Sequence, residues 1–86
     1  MKTEFILYIK NECPFCQKTK SLLEENNYPF RSLALDDYQH ILEGIKDLYD
    51  WRTVPMIFKK VDSQYTLIGG FSDLIIYLRM EEGLNV

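Results

Sequence analysis

Cys13 and Cys16 are the only two cysteines in this 86-residue chain, and only Pro14 and Phe15 separate them. A disulfide between them would close so short a loop that it restrains the unfolded chain very little. Chemistry explains the pair better than stapling does. Asn11 and Glu12 before them read as a turn, and Pro14 suits a first helical position, where a missing N–H has no carbonyl to serve. A thiolate at such a helix start faces unpaired backbone N–H groups and the positive end of the helix dipole. That lowers its pKa and raises the thiolate share at neutral pH. Cys13, as the exposed cap, is expected to attack a disulfide. Cys16, one turn inward and more buried, is expected to resolve the mixed disulfide that results. Pro14 and Phe15 carry no side-chain proton to donate and shape the loop instead.

The same pair has other readings. It is half of a zinc site, but no second pair exists, and the single histidine, His40, falls at the start of an expected helix where a surface role is simpler. Two incidental cysteines are the bland alternative. Thiolates from two copies of the chain could also hold a shared iron–sulfur cluster. No metal site within one chain is expected.

A cysteine cap needs a strand to deliver it and a helix to carry it. Residues 2–9 run nearly unbroken in apolar residues, as a buried strand does. A helix from Pro14 to about Asn26 turns Cys16, Thr19, Leu22 and Leu23 to one face and Lys18, Glu24 and Glu25 outward. A second strand is expected from Tyr28 to Leu35. Asp36-Asp37 is then expected to cap a helix from Tyr38 to Tyr49, whose apolar positions Ile41, Leu42, Ile45, Leu48 and Tyr49 keep a 3.6-residue period. Met56-Ile57-Phe58 and Tyr65 to Ile68 read as a hairpin around a turn at Asp62-Ser63-Gln64. Gly69-Gly70 breaks the chain, Ser72 or Asp73 caps a last helix running to about Met80, and Gly83 ends it. The order βαβαββα implies an α/β domain spanning 1–86. Its first two strands are parallel through a right-handed crossover, its last two are antiparallel, and helices flank a mixed four-stranded sheet.

Composition narrows the function further. Hydrophobic residues make up 47% of the chain, ordinary for a globular domain. The net charge of −3 argues against a nucleic-acid binder, which needs a basic patch, and Lys18/Lys20 and Lys59/Lys60 read as solvated surface. No apolar run approaches membrane-helix length. The run at Phe5–Ile9 is too short for a signal peptide and lacks a small-residue cleavage site, so a cytoplasmic, membrane-free protein is expected.

Four segments in order, Tyr8-Ile9-Lys10, Cys13-Pro14-Phe15-Cys16, Thr53-Val54-Pro55 and Gly69-Gly70-Phe71-Ser72-Asp73, resemble the glutaredoxin family over essentially the whole chain. That resemblance implies the thioredoxin-like fold and a glutathione-dependent thiol–disulfide oxidoreductase of the dithiol type. It implies Cys13 and Cys16 as catalytic residues and a cis peptide bond before Pro55. The turn at Thr53 and Val54 would then pair antiparallel with the cysteine residue of bound glutathione. The family's binding segment for the γ-glutamyl end matches Gly70, Phe71, Ser72 and Asp73. There, helix-start N–H groups suit a carboxylate and an acidic side chain suits the α-ammonium. Lys10 and Arg52 match positions near the glycyl carboxylate. Glutathione enters as reducing co-substrate, with no tightly bound cofactor expected.

Phe15 stands where the commonest dithiol motif has Tyr, a change that removes a hydroxyl and keeps the ring. Residues 59–66 exceed the usual link between the last two strands, and Trp51 is unusual beside the Thr-Val-Pro segment, where it reads as a lid, a partner contact or a core residue. Expected partners are glutathione and disulfide-containing or glutathionylated proteins, ribonucleotide reductase among them, met by a monomer. A thioredoxin-like redoxin reduced directly by a flavoenzyme is the nearest rival, and an iron–sulfur carrier the rival of another class.

Overall fold

The computed structural model describes residues 3–85. Seven elements follow in the expected order: β1 (Thr3–Ile9), α1 (Pro14–Glu25), β2 (Phe30–Ala34), α2 (Gln39–Tyr49), β3 (Met56–Val61), β4 (Gln64–Gly69) and α3 (Phe71–Glu81). Lys2, expected at the start of β1, lies outside the described residues. The strands form one sheet in the order β2-β1-β3-β4, with β1 parallel to β2 and the other two pairings antiparallel. This is the mixed sheet of the thioredoxin-like arrangement.

β1 is apolar from Phe5 to Ile9 because both of its faces are covered there. Phe5, Leu7 and Ile9 join Cys16, Leu23, Ile57, Leu74 and Leu78 in one core layer beneath α1 and α3. Ile6 joins Leu35, Leu42, Met56 and Phe58 in a second layer on the α2 side. Alternate side chains of one strand thus feed two layers.

Helix ends show where local chemistry differs from expectation. α1 stops at Glu25, and Asn27 takes a left-handed φ of 59° while the Tyr28 N–H reaches the Leu23 carbonyl at 2.9 Å. α2 ends the same way: Asp50 lies at φ 52° and the Trp51 N–H donates to Lys46 O at 2.8 Å. Both are Schellman-type endings, with Asn or Asp in the place glycine usually takes. Gly83, at φ 67°, follows α3 as expected.

Three expectations need correction. Asp36-Asp37 does not cap α2. Tyr38 is the N-cap and makes no side-chain cap bond, while the Asp36 carboxylate turns instead to the Asn11 N–H at 3.0 Å. α3 is capped by Gly70, with Asp73 three residues in, rather than by Ser72 or Asp73. On α2 only Leu42 and Lys46 are buried, and Leu48 is 77% exposed. The Lys46 stem lies inside while its ammonium reaches Glu43 at 3.9 Å, so a long cationic side chain fills a place the apolar period assigned elsewhere.

The long link at 59–66 is regular ladder. β3 and β4 continue pairing out to Val61 and Gln64 around a turn of Asp62 and Ser63. Among the described residues no helix is long and apolar enough to cross a membrane.

Candidate active site

Cys13 is the N-cap of α1, with extended backbone (φ −137°, ψ 104°). Pro14 opens the helix, and the Gln17 N–H donates to the Cys13 carbonyl at 3.1 Å, the first full helical bond. Cys13 and Cys16 are joined by a disulfide. The Cys13 sulfur also accepts the Cys16 backbone N–H at 3.1 Å, so it takes up one of the donors that every helix start leaves unpaired. The two sulfurs are unequally placed. Cys13 is half-buried, whereas Cys16 has no exposed surface and sits in the first core layer. Thr19 fixes the turn beneath them through a 2.7 Å bond from its hydroxyl to the Phe15 carbonyl.

The segment before β3 comes up beside this cap. The Val54–Pro55 peptide is cis. Pro55 is buried, and the Val54 carbonyl oxygen lies 4.0 Å from the Cys13 sulfur. Beyond it, pairing skips one residue of β4: Ile57 faces Gly69 and Phe58 faces Leu67, which leaves Ile68 as a bulge. A bulge at this point re-aims the strand end toward the site. Gly69 then takes φ 130°, where a side chain would be strained, and a Cβ there would also strike the Asp73 carboxylate. That closeness is used, because Asp73 Oδ2 accepts the Gly70 N–H at 2.9 Å. It forms the acidic half of a capping box.

Between these segments runs a groove of about 330 Å³. Thr53, Val54 and Pro55 form one side, and Gly70, Phe71, Ser72 and Asp73 the other. Phe15 and Trp51 complete its walls. Phe15 and Phe71 have ring centroids 6.0 Å apart, and the Lys18 ammonium lies 5.1 Å from the Phe15 centroid. The N-termini of α1 and α3 therefore both border the groove. A carboxylate suits the start of α3, where the Phe71 and Ser72 N–H groups and the positive dipole end meet the groove, and a cation suits the Asp73 carboxylate beside them.

Seven of the nine residues expected to bind ligand line this groove, and two do not. Arg52 is exposed and paired with Asp47 at 3.1 Å and Asp50 at 3.7 Å. Lys10 follows β1 three residues before Cys13 and makes no ion pair among the described residues. One feature went unseen in the sequence, the Asn11–Asp36 bond, which ties the loop ahead of Cys13 to the end of β2; no motif marks it. Trp51, singled out as a candidate lid, partner contact or core residue, packs against the second core layer and walls the groove as well.

A family model described as glutaredoxin matches residues 5–65. The chain is 35% identical to glutaredoxin 3 of Escherichia coli (strain K12) over 68 residues, covering 79% of this chain and 77% of that one. Among solved structures, wheat glutaredoxin superposes with a TM-score of 0.75 at 26% identity, over 91% of this chain and 73% of the other. A buckwheat glutaredoxin–glutathione complex superposes with a TM-score of 0.73 at 20% identity, over 90% and 69%. At that identity the buckwheat likeness speaks for the fold.

Proposed function

The chain belongs to the glutaredoxin family and is a thiol–disulfide oxidoreductase; from that premise we propose that it draws its electrons from glutathione and reduces both protein disulfides and protein–glutathione mixed disulfides. The observation that carries this reading is the groove beside the Cys13 sulfur, with the Val54 carbonyl at its head and the start of α3 along its side. The solved buckwheat relative with glutathione bound supports it.

In the first route the Cys13 thiolate attacks the glutathione sulfur of a mixed disulfide. The substrate thiolate leaves and is protonated, and glutathione remains bonded to Cys13. A second glutathione thiolate attacks that bond, which frees Cys13 and yields glutathione disulfide. In the second route Cys13 attacks a protein disulfide, and Cys16 displaces the substrate to give the Cys13–Cys16 bond. Two glutathione molecules then reduce it. The unequal exposure of the two sulfurs supports this division of roles.

Bound glutathione would lie extended, its cysteine residue pairing with the Val54 backbone. Its γ-glutamyl carboxylate would take the N–H groups of Phe71 and Ser72, which have no partner within the helix. Its ammonium would meet the Asp73 carboxylate. Lys10 and Arg52 are the cations for the glycyl carboxylate. Arg52 would have to leave Asp47, an exposed pair worth about 0–1 kcal/mol, so the exchange is inexpensive. A monomer acting in the cytoplasm, where glutathione keeps thiols reduced, completes the proposal.

The test is NADPH consumption coupled through glutathione reductase, with a small glutathione mixed disulfide as substrate. Turnover should vanish with Cys13→Ser and survive Cys16→Ser. A folded, reduced protein without glutathione-dependent turnover would sink the reading and direct the search to a flavoenzyme reductase.

A further inference from the structure

Trp51 is the only tryptophan of the chain, and its surroundings are unlike those of any other groove residue. Its backbone is fixed by the bond to Lys46 O that closes α2. Its ring packs on the second core layer from one side and lines the groove from the other. It reaches the start of α3: a Cβ placed on Gly70 would stand 3.9 Å from Trp51 Cζ2. The indole Nε1 is sealed from solvent and has no acceptor, the single such side-chain atom among the described residues. Buried donors are nearly always paired, so an orphan bordering a ligand groove calls for an explanation in the liganded state.

The geometry points to Trp51 as a specificity-determining residue of the groove, whose indole N–H is completed by the γ-glutamyl carboxylate of bound glutathione. This rests on the glutathione reading above. Only packing holds the ring where it faces the groove, and Gly70 presents no side chain against it. A small turn of the ring exchanges an unpaired interior position for a carboxylate already drawn to the N-terminus of α3. Trp51 thus adds a side-chain donor to a site otherwise built from backbone N–H groups, and it favours ligands that carry a carboxylate at that end.

The assay above tests this with three proteins: the intact chain, Trp51→Phe, and a chain carrying 3-benzothienylalanine at 51, which keeps the bicyclic shape and replaces N–H by sulfur. Both altered chains should raise KM for the glutathione mixed disulfide about tenfold, the effect of one hydrogen bond to a charged group, with kcat within about twofold. With a mixed disulfide of 4-aminobutanoyl-cysteinyl-glycine, which lacks the γ-glutamyl α-carboxylate, all three proteins should give similar KM values. A purely structural role would instead give the same penalty with both substrates. Wild-type KM in the benzothienyl chain, or a penalty that persists with the decarboxy substrate, overturns the assignment while the glutathione reading stands. Absence of glutathione turnover in the intact chain overturns both.

Discussion

The two faces of the sheet are packed to different standards. On the α1 and α3 side, Phe5, Leu7, Cys16, Leu23, Ile57, Leu74 and Leu78 have no exposed surface, and Phe5 meets Tyr28 and Tyr77 edge-on at 5.8 and 6.1 Å. On the α2 side only Leu42 and Met56 of the core layer are fully buried. Each face also keeps an open groove at its rim, about 270 Å³ among Tyr8, Ile45, Leu48, Tyr49, Phe58 and Tyr65 on the α2 side and about 420 Å³ where α3 meets the hairpin, so depth of burial and not open volume separates the two. Ile41 and Tyr49 keep over a third of their surface. The tight face carries the cysteines. A resolving thiol must meet its partner after each bond is broken, so the helix that holds it cannot drift. The loose face carries no reacting atom, and large aromatic rings prop α2 where close packing is missing.

The strongest attack on this contrast is a truncation in the tight layer. Leu74→Ala should cost about 2–5 kcal/mol, a large share of the roughly 5–10 kcal/mol that holds a domain of this size together. Urea denaturation measures it, and a cost near zero would show that this layer is as slack as the other. Second, amide exchange should divide the helices. The central amides of α1 should exchange only through global unfolding and those of α2 through local opening, at least about tenfold faster. Equal protection would erase the distinction.

Asp73→Ala removes the acceptor of the Gly70 N–H and should destabilise by about 1 kcal/mol, visible as a lowered melting temperature. Leu48→Ala, at an exposed position of α2, should stay within about 0.5 kcal/mol of the parent.

The smallest effect is alkaline. Burial, then the neighbouring Tyr65 and Tyr49, raises the Tyr8 phenol above its ordinary value of 10.0. Burial first, with Glu82 beside each, raises Tyr28 and Tyr77. The folded protein therefore holds these protons more tightly than the unfolded chain. Stability is full below pH 10 and declines as pH rises above it. Tyr8→Phe should blunt part of that decline in a pH series of melts, while leaving the shares of Tyr28 and Tyr77 on the opposite face.

The same contrast explains what the sequence could disclose. The unbroken run Phe5–Ile9 announced a strand covered on both faces, and alternation of its side chains into two layers followed. Cys13 as a cap with Pro14 behind it was legible because capping is local chemistry. The period of α2 was legible too, but periodicity reports direction and not depth, so Leu48 was assigned to a core that never reaches it. Asp36 carries the right side chain for a cap. Only the tertiary approach of Asn11 decides that its carboxylate serves another loop. Trp51 stood out by type, yet its place on the groove wall facing the start of α3 depends on neighbours no local pattern reveals.

The Asp62–Ser63 turn closes the hairpin at the end of the sheet away from the disulfide, with both residues exposed. Nothing catalytic is strung through it, and the ladder on either side is already continuous. It is a natural splice point. A reporter domain grafted there would ride on β3 and β4, whose opposite ends lead to Pro55 and Gly69. The protein is thereby suited to use as a fused redox probe whose cargo and chemistry occupy opposite poles.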